Sequence, residues 1–187
     1  MTATPTRATV SAAEVVAFWR DAGPARWFKK DAAFDDEIRR RFLAANEAAA
    51  TGALAPWETS AEGALALLIL LDQFPRNMFR ASRRAFATDA LALAVAGRAI
   101  ERGFDRATAT VMRGFFYLPY QHSETLAHQE HGIELYRMAG DADGLKWMQI
   151  HADIIRRFDR FPHRNGVLGR STRPEEQAFL DGGGFAG

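Results

Sequence analysis

Three observations in this 187-residue sequence predict an all-α fold. No stretch alternates apolar and polar residues with the period of a half-buried strand. Residues 64–71 read ALALLILL, apolar on every face. A helix of that kind is buried all round, and it is far shorter than the roughly 20 residues a bilayer span needs. The flanking segments carry apolar stripes at helical spacing, bounded by capping residues and glycines. The expected architecture is therefore a set of helices packed around a buried central helix at 64–71.

Composition narrows the class. Apolar residues make up 48% and charged residues 25%, the balance of an ordinary globular domain. The net charge of +1 creates no global field for nucleic acid or a membrane surface. Cysteine is absent, which removes disulfides, thiolate nucleophiles and Cys-ligated zinc and suits a reducing compartment. The N-terminus lacks the apolar segment of a signal peptide, so a cytoplasmic protein is expected. Residues 1–10 are expected to be disordered, 11–181 to form one domain and 182–187, which open with three glycines, to form a flexible tail.

Taken in order, Ser11 and Glu14 have the spacing of a capping box. They start a helix through Val15, Val16, Phe18 and Trp19 that ends near Gly23. Pro24 to Phe28 read as an aromatic turn. A second helix spans 32–50, with Phe34, Ile38, Phe42 and Ala45 as its stripe and Gly52 as its stop. Thr59 with Glu62 suggests another capping box, opening the central helix. Pro75 should end that helix near Gln73, because proline drives its predecessor out of the α region. Arg76, Arg80, Arg83 and Arg84 then form a basic patch. A helix from Thr88–Asp89 runs to Gly103. A longer helical region from 104 to 140 is interrupted by Pro119. The last long helix, about 143–160, should bury Trp147, Ile150, Ile154, Phe158 and Phe161. Residues 162–173 read as a basic loop, and Pro174-Glu175-Glu176 fits a helix start.

Candidate chemistry concentrates in three places. Turning 100° per residue along a continuous helix 120–138 centred on Leu126 puts His122 about 40° and Gln129 about 60° from the apolar face, both inward. A cleft where His122 meets Asp72 at the end of the central helix would suit acid–base chemistry or ligand orientation. The same rotation turns Glu124, His128 and His131 to the solvated side, where a metal ligand lacks its supporting shell; no metal is expected. No phosphate loop or dinucleotide fingerprint appears, and no cofactor is expected. Between 151 and 173, six arginines stand against Asp153 and Asp159. They read as a solvated face, with Asp153 paired to Arg157, or as an anion site, since arginine forks match phosphate and carboxylate. Nucleic acid is disfavoured because the aromatic residues there belong to the buried stripe.

Asp72-Gln73-Phe74-Pro75-Arg76-Asn77 has a later near-copy, Asp159-Arg160-Phe161-Pro162-His163-Arg164-Asn165, with one residue inserted. The two turns are expected to meet near His122, with Arg76, Asn77, Arg164 and Asn165 donating to freed helix carbonyls and the aspartates holding the arginines. Together with Phe86-Ala87-Thr88-Asp89, Tyr117-Leu118-Pro119-Tyr120, His122-Ser123-Glu124, Gln129-Glu130 and Leu168-Gly169-Arg170, these motifs resemble the bacterial domain-of-unknown-function family 924 from about residue 11 onward. The resemblance implies a tetratricopeptide-like arrangement of paired helices and no established activity. The candidate cleft comprises Asp72, Gln73, Arg76, Asn77, His122, Gln129, His163, Arg164 and Asn165. The favoured reading is a binding or scaffold module for a peptide, protein or small anionic ligand. The alternative is an enzyme with a His–Asp–Arg pocket acting on a phosphorylated or carboxylated small molecule.

Overall fold

A computed structural model describes residues 10–185, and every regular element among them is helical. Residues 1–9 and 186–187 lie outside the described residues, and with them most of the expected disordered N-terminus and the end of the expected tail. Val10 packs against the main core, and Phe185 lies against the rings of His151 and His163.

Helix α1 (Ala12–Ala22) opens with the Ser11–Glu14 capping box. The one-turn α2 (Pro24–Trp27) places the Trp27 ring against Trp19. Helix α3 (Ala32–Ala50) is capped by Asp31 and buries Phe34, Ile38 and Phe42. The next helix, α4 (Ala61–Leu68), is capped by Ser60, whose Oγ accepts from the Gly63 amide. Thr59 instead donates its hydroxyl to the Pro56 carbonyl, so the expected Thr59 cap moves by one residue.

The helix does not stop at Gln73. It widens into a π-helical turn, Ile69–Gln73, and continues as α5 (Phe74–Met78). Phe74 keeps helical backbone angles although it precedes a proline. In the π register the Leu70 carbonyl would need the N–H that Pro75 lacks. Asn46 Nδ2 supplies the donor at 2.8 Å from the next helix layer. Thr88 donates to the Leu71 carbonyl and Arg76 to that of Asp72. Donors distant in sequence therefore carry the chain through the proline. Residues 64–71 are at most 3% exposed, as a core helix requires.

Beyond a short 3-10 turn, α6 (Asp89–Glu101) packs its alanines against α4. The region after Gly103 is a succession of short pieces: α7 (Phe104–Ala107), α8 (Thr110–Arg113) and α9 (Leu118–His122), then α10 (Leu126–Ala139). Pro119 does not interrupt a helix; it lies in the first turn of α9. The break falls at Ser123–Thr125, both extended, and it voids the single-helix rotation used above. Leu126, taken there as the centre of the apolar face, is 37% exposed.

Helices α10 and α11 (Ala142–Phe158) form a tight hairpin. Gly140 turns the chain at φ +68°, and a Cβ on Gly132 would come within 2.7 Å of Met148 Sδ, so a side chain there would have to push the methionine tip aside. The buried face of α11 runs through Met148, His151, Ala152, Ile155 and Phe158, whereas Trp147 is 52% exposed. The expected stripe is thus turned by one residue at its start. Asp153 pairs with Arg156 rather than Arg157; the Arg157 guanidinium lies over the Phe158 ring. The basic stretch after α11 is not an irregular loop throughout: it folds into a 3-10 turn at Pro162–Arg164 and α12 (Asn165–Leu168) before α13 (Pro174–Asp181). The latter, with Ile154, Phe158 and Phe161, closes a second small core. No described helix is long and apolar enough to cross a membrane.

Candidate functional site

The π turn aims Asp72 sideways from the deepest helix, where it is 2% exposed. His122, the last residue of α9, places Nδ1 2.9 Å from both Asp72 carboxylate oxygens. Arg76, one turn beyond Asp72, donates Nη1 to Asp89 Oδ1 at 2.9 Å and Nη2 to Asp89 Oδ2 at 3.0 Å. Its Nη1 also lies 3.3 Å from Asp72 Oδ1. Burial would raise the Asp72 carboxyl, but Arg76 and His122 outweigh it and hold the group below the ordinary carboxylate range. Burial, then Arg76, push the His122 imidazole below its ordinary value against the pull of Asp72. The ring is thus neutral at neutral pH, with Nδ1–H donating to Asp72 and Nε2 left as an acceptor.

Arg164 comes to the same place from the second proline turn. It is 6% exposed, and its Cζ lies 4.7 Å from the Phe86 ring and 4.5 Å from that of Phe161. Its Nη1 stands 3.7 Å from Asp89 Oδ2, outside hydrogen-bonding range. Its Nε is buried and finds no partner among the described residues. Burial and the neighbouring Arg76 lower this guanidinium to about 10 despite Asp89, so it stays charged at neutral pH. His163 also lies against Phe161, and its Nδ1 is a second buried atom with no partner among the described residues. Burial, then Arg164, push its imidazole down to about 3.

The other expected residues go elsewhere. Gln73 donates to the Trp27 carbonyl and to Asn77 Oδ1, and Asn77 donates to Asp35 at 2.9 Å. Asp35 is also clasped by Arg80. These residues form a separate network that ties α3 to α5. Gln129 is fully buried, and its Nε2 reaches the carbonyls of Tyr120, Gln121 and Ser123, closing the end of α9. Asn165 bridges Glu176 and Arg170. Of the four expected carbonyl donors, Arg76 alone caps its own turn; in the second turn Arg170 and Arg173 take the Phe161 and Phe158 carbonyls. Asp159 is exposed and serves as a left-handed C-cap to α11 instead of holding an arginine.

Glu124 turns inward from the 123–125 break. It accepts the Phe161 amide at 2.7 Å and a bidentate fork from Arg170. His128 Nδ1 meets Ser123 Oγ at 2.8 Å, and His131 packs on Tyr120. Among the described residues no three His, Asp or Glu side chains converge as metal ligands would. Sequence reasoning missed His151, whose ring lies near His163 and Phe161, and Glu176, a fully buried acid held by Arg160, Arg173 and Asn165. Only the first-turn position of Glu176 signalled it, and that signal pointed to a helix dipole.

Comparison with known proteins places this geometry in context. A family profile described as "Bacterial protein of unknown function (DUF924)" matches residues 15–184. No curated protein matches the chain. A solved structure of a protein of unknown function, ATU0120 from Agrobacterium tumefaciens, is similar at a TM-score of 0.89 with 48% identity, over 91% of this chain and 97% of that one.

Proposed function

We propose that this chain, which belongs to the bacterial family of unknown function DUF924, is a binding module whose ligand is a small anion received by Arg164. The observation that carries this reading is the state of that side chain. A buried guanidinium normally finds hydrogen-bonding partners, because leaving its donors unmade costs free energy. Here the carboxylate nearest to it is already taken bidentately by Arg76. An anion meeting the guanidinium edge would supply the missing acceptors. The helix pairs, of which α10 and α11 are the clearest, fit the tetratricopeptide-like scaffold implied by the family resemblance, and the cysteine-free composition fits the cytoplasm. The test is a thermal-shift screen of phosphorylated and carboxylated metabolites against the wild type and Arg164→Met. A ligand that binds only the folded state raises its melting temperature. Arg164-dependent stabilisation is expected; stabilisation that survives the substitution counts against the site.

One observation favours a second reading, an enzyme acting on such an anion. His122 donates Nδ1–H to a buried carboxylate and keeps Nε2 as an acceptor, the arrangement of an oriented general base. Under that reading His122→Gln abolishes turnover of a ligand found in the screen while leaving its binding in place.

A further inference from the structure

The aromatic stack under α1 and α2 does not end beneath the surface. Trp19, Trp27 and Phe115 pack against one another inside it. The Phe28 ring continues the stack outward, 6.3 Å from Phe115, and is 64% exposed. Val111, 55% exposed, stands one helical turn before Phe115. Ala25 and Ala109, close to these two in sequence, are exposed as well.

The charge on this tip has one sign. Residues 22–30 and 106–116 contain Arg26, Lys29, Lys30, Arg106 and Arg113 and no acid. The acids beside them are already engaged. Asp105 is 3% exposed and accepts from the Tyr117 hydroxyl. Asp35 is clasped by Arg80, which also donates to the Lys29 carbonyl. Asp31 caps α3 and lies 3.8 Å from Arg26. Lys29, Lys30 and Arg106 are exposed and form no ion pair among the described residues. The net charge of +1 for the whole chain therefore hides a local surplus of cations at an apolar tip.

We propose that this tip docks on an anionic bilayer surface. Phe28 and Val111 enter the boundary between headgroups and acyl chains, and Lys29, Lys30 and Arg106 meet the lipid phosphates. Apolar side chains flanked by lysines suit that boundary, because the charged heads can reach back to the water side. A protein partner would need roughly 800 Å² of complementary surface, whereas a bilayer conforms to a few protruding side chains. A nucleic-acid strand would need a row of exposed rings; the other exposed large aromatic side chain, Trp147, belongs to α11. With so few groups engaged, the attachment is reversible. It does not involve Arg164, so it stands or falls apart from the anion site.

The experiment is co-sedimentation of the full chain with vesicles of phosphatidylcholine alone or with about a quarter phosphatidylglycerol, at about 0.1 M salt. The chain is expected to pellet with the anionic vesicles and not with the neutral ones, and to be released at about 0.5 M salt. Lys29→Glu combined with Lys30→Glu should weaken binding at least about tenfold. Phe28→Ser should weaken it too, but leave its salt dependence unchanged. All three positions are exposed, so the melting temperatures should stay at the wild-type value. A second measurement needs no change at these positions. The chain has no cysteine, so Ala25→Cys takes a single environment-sensitive nitrobenzoxadiazole label. Its fluorescence should rise and shift to the blue on anionic vesicles, while the same label at Met138→Cys, exposed on α10, should not respond. Equal pelleting with both vesicles, no pelleting with either, or unchanged binding of the double lysine variant overturns the proposal. So does a response from the Met138 label with none from the Ala25 label. Lysine-dependent binding of polyuridylate or polyglutamate, with none of vesicles, overturns it in favour of a soluble polyanion.

Discussion

Arg76 grips both carboxylate oxygens of Asp89, at 2.9 and 3.0 Å. Arg164 stands 3.7 Å from the same carboxylate. Two arginines from two similar turns therefore share one acid unequally. Removing Arg76 leaves Asp72 and Asp89 without their main partner, and Arg76→Ala should cost roughly 3–5 kcal/mol, the range for breaking a buried pair from one side. Arg164→Met should behave oppositely. Asp89 keeps Arg76, and an under-partnered buried charge is replaced by apolar volume between two phenyl rings, so stability should stay within about 1 kcal/mol of wild type or rise. Urea denaturation of the two variants measures both. An Arg164→Met loss as large as that of Arg76→Ala would make Arg164 a structural residue.

The central helix supplies a second prediction. Leu68 is 1% exposed, one residue before the π turn. Leu68→Ala should destabilise by about 2–5 kcal/mol, the transfer loss plus the cavity left behind. A loss under about half a kcal/mol would show that the helix can collapse around the missing side chain and is not central to the core.

What could be read from the sequence follows from the range of the forces involved. Helix 32–50 was legible to its ends because its stripe, Phe34, Ile38 and Phe42, and its stop at Gly52, where φ is +79°, are local features. The passage through Pro75 was not, since it depends on Asn46 and Thr88 acting across 24 and 17 residues. The 120–138 helix failed at Ser123 and Thr125, where a hydroxyl bond to the Thr125 amide competes with helix formation. That break also turned Glu124 from an outward residue into an inward one. The His122–Asp72 contact was expected from a rotation along a continuous helix that the 123–125 break voids; His122 faces Asp72 as the last residue of α9. Asn77 and Asn165 were placed in the same cleft because their turns look alike; their acids, Asp35 and Glu176, lie on helices whose charged residues read as ordinary surface.

Glu124 joins the 123–125 break to the second proline turn through the Phe161 amide and Arg170. Burial would raise its carboxyl, but Arg170 and that amide hold it below the ordinary glutamate value. Glu124→Gln weakens the Arg170 fork, and a hydrogen bond to a charged group contributes about 1.5–3 kcal/mol. A loss of that order is expected. A double-mutant cycle with Arg170→Gln should show strong coupling, because neither change can remove the interaction twice. Additive losses would mean that the pair is replaced by solvent at no cost.

His151 gives the last prediction, a dependence of stability on pH. Its Nδ1–H donates to the Trp147 carbonyl at 2.8 Å, and Phe161 and Phe185 flank the ring. Burial lowers the imidazole from 6.5 to about 4, with His122, Arg164 and Arg76 adding to the fall. The folded-state value lies below the unfolded one, so between them the unfolded chain binds more protons and stability rises with pH. The contribution is complete above pH 6.5 and is lost as pH falls toward 4. By pH 5 the shift amounts to about 2 kcal/mol. His163, lowered to about 3, acts in the same direction. Buried acids such as Glu176, held below 4.5 chiefly by the Arg160 hydrogen bond, lose their contribution only beneath that value. The histidine and carboxylate windows are therefore separable. His151→Asn cannot take up a proton there and should flatten the stability profile between pH 7 and 5 while leaving the steeper acid loss below pH 4.5 in place. An unchanged slope between pH 7 and 5 would show that His151 titrates alike in the folded and unfolded chains.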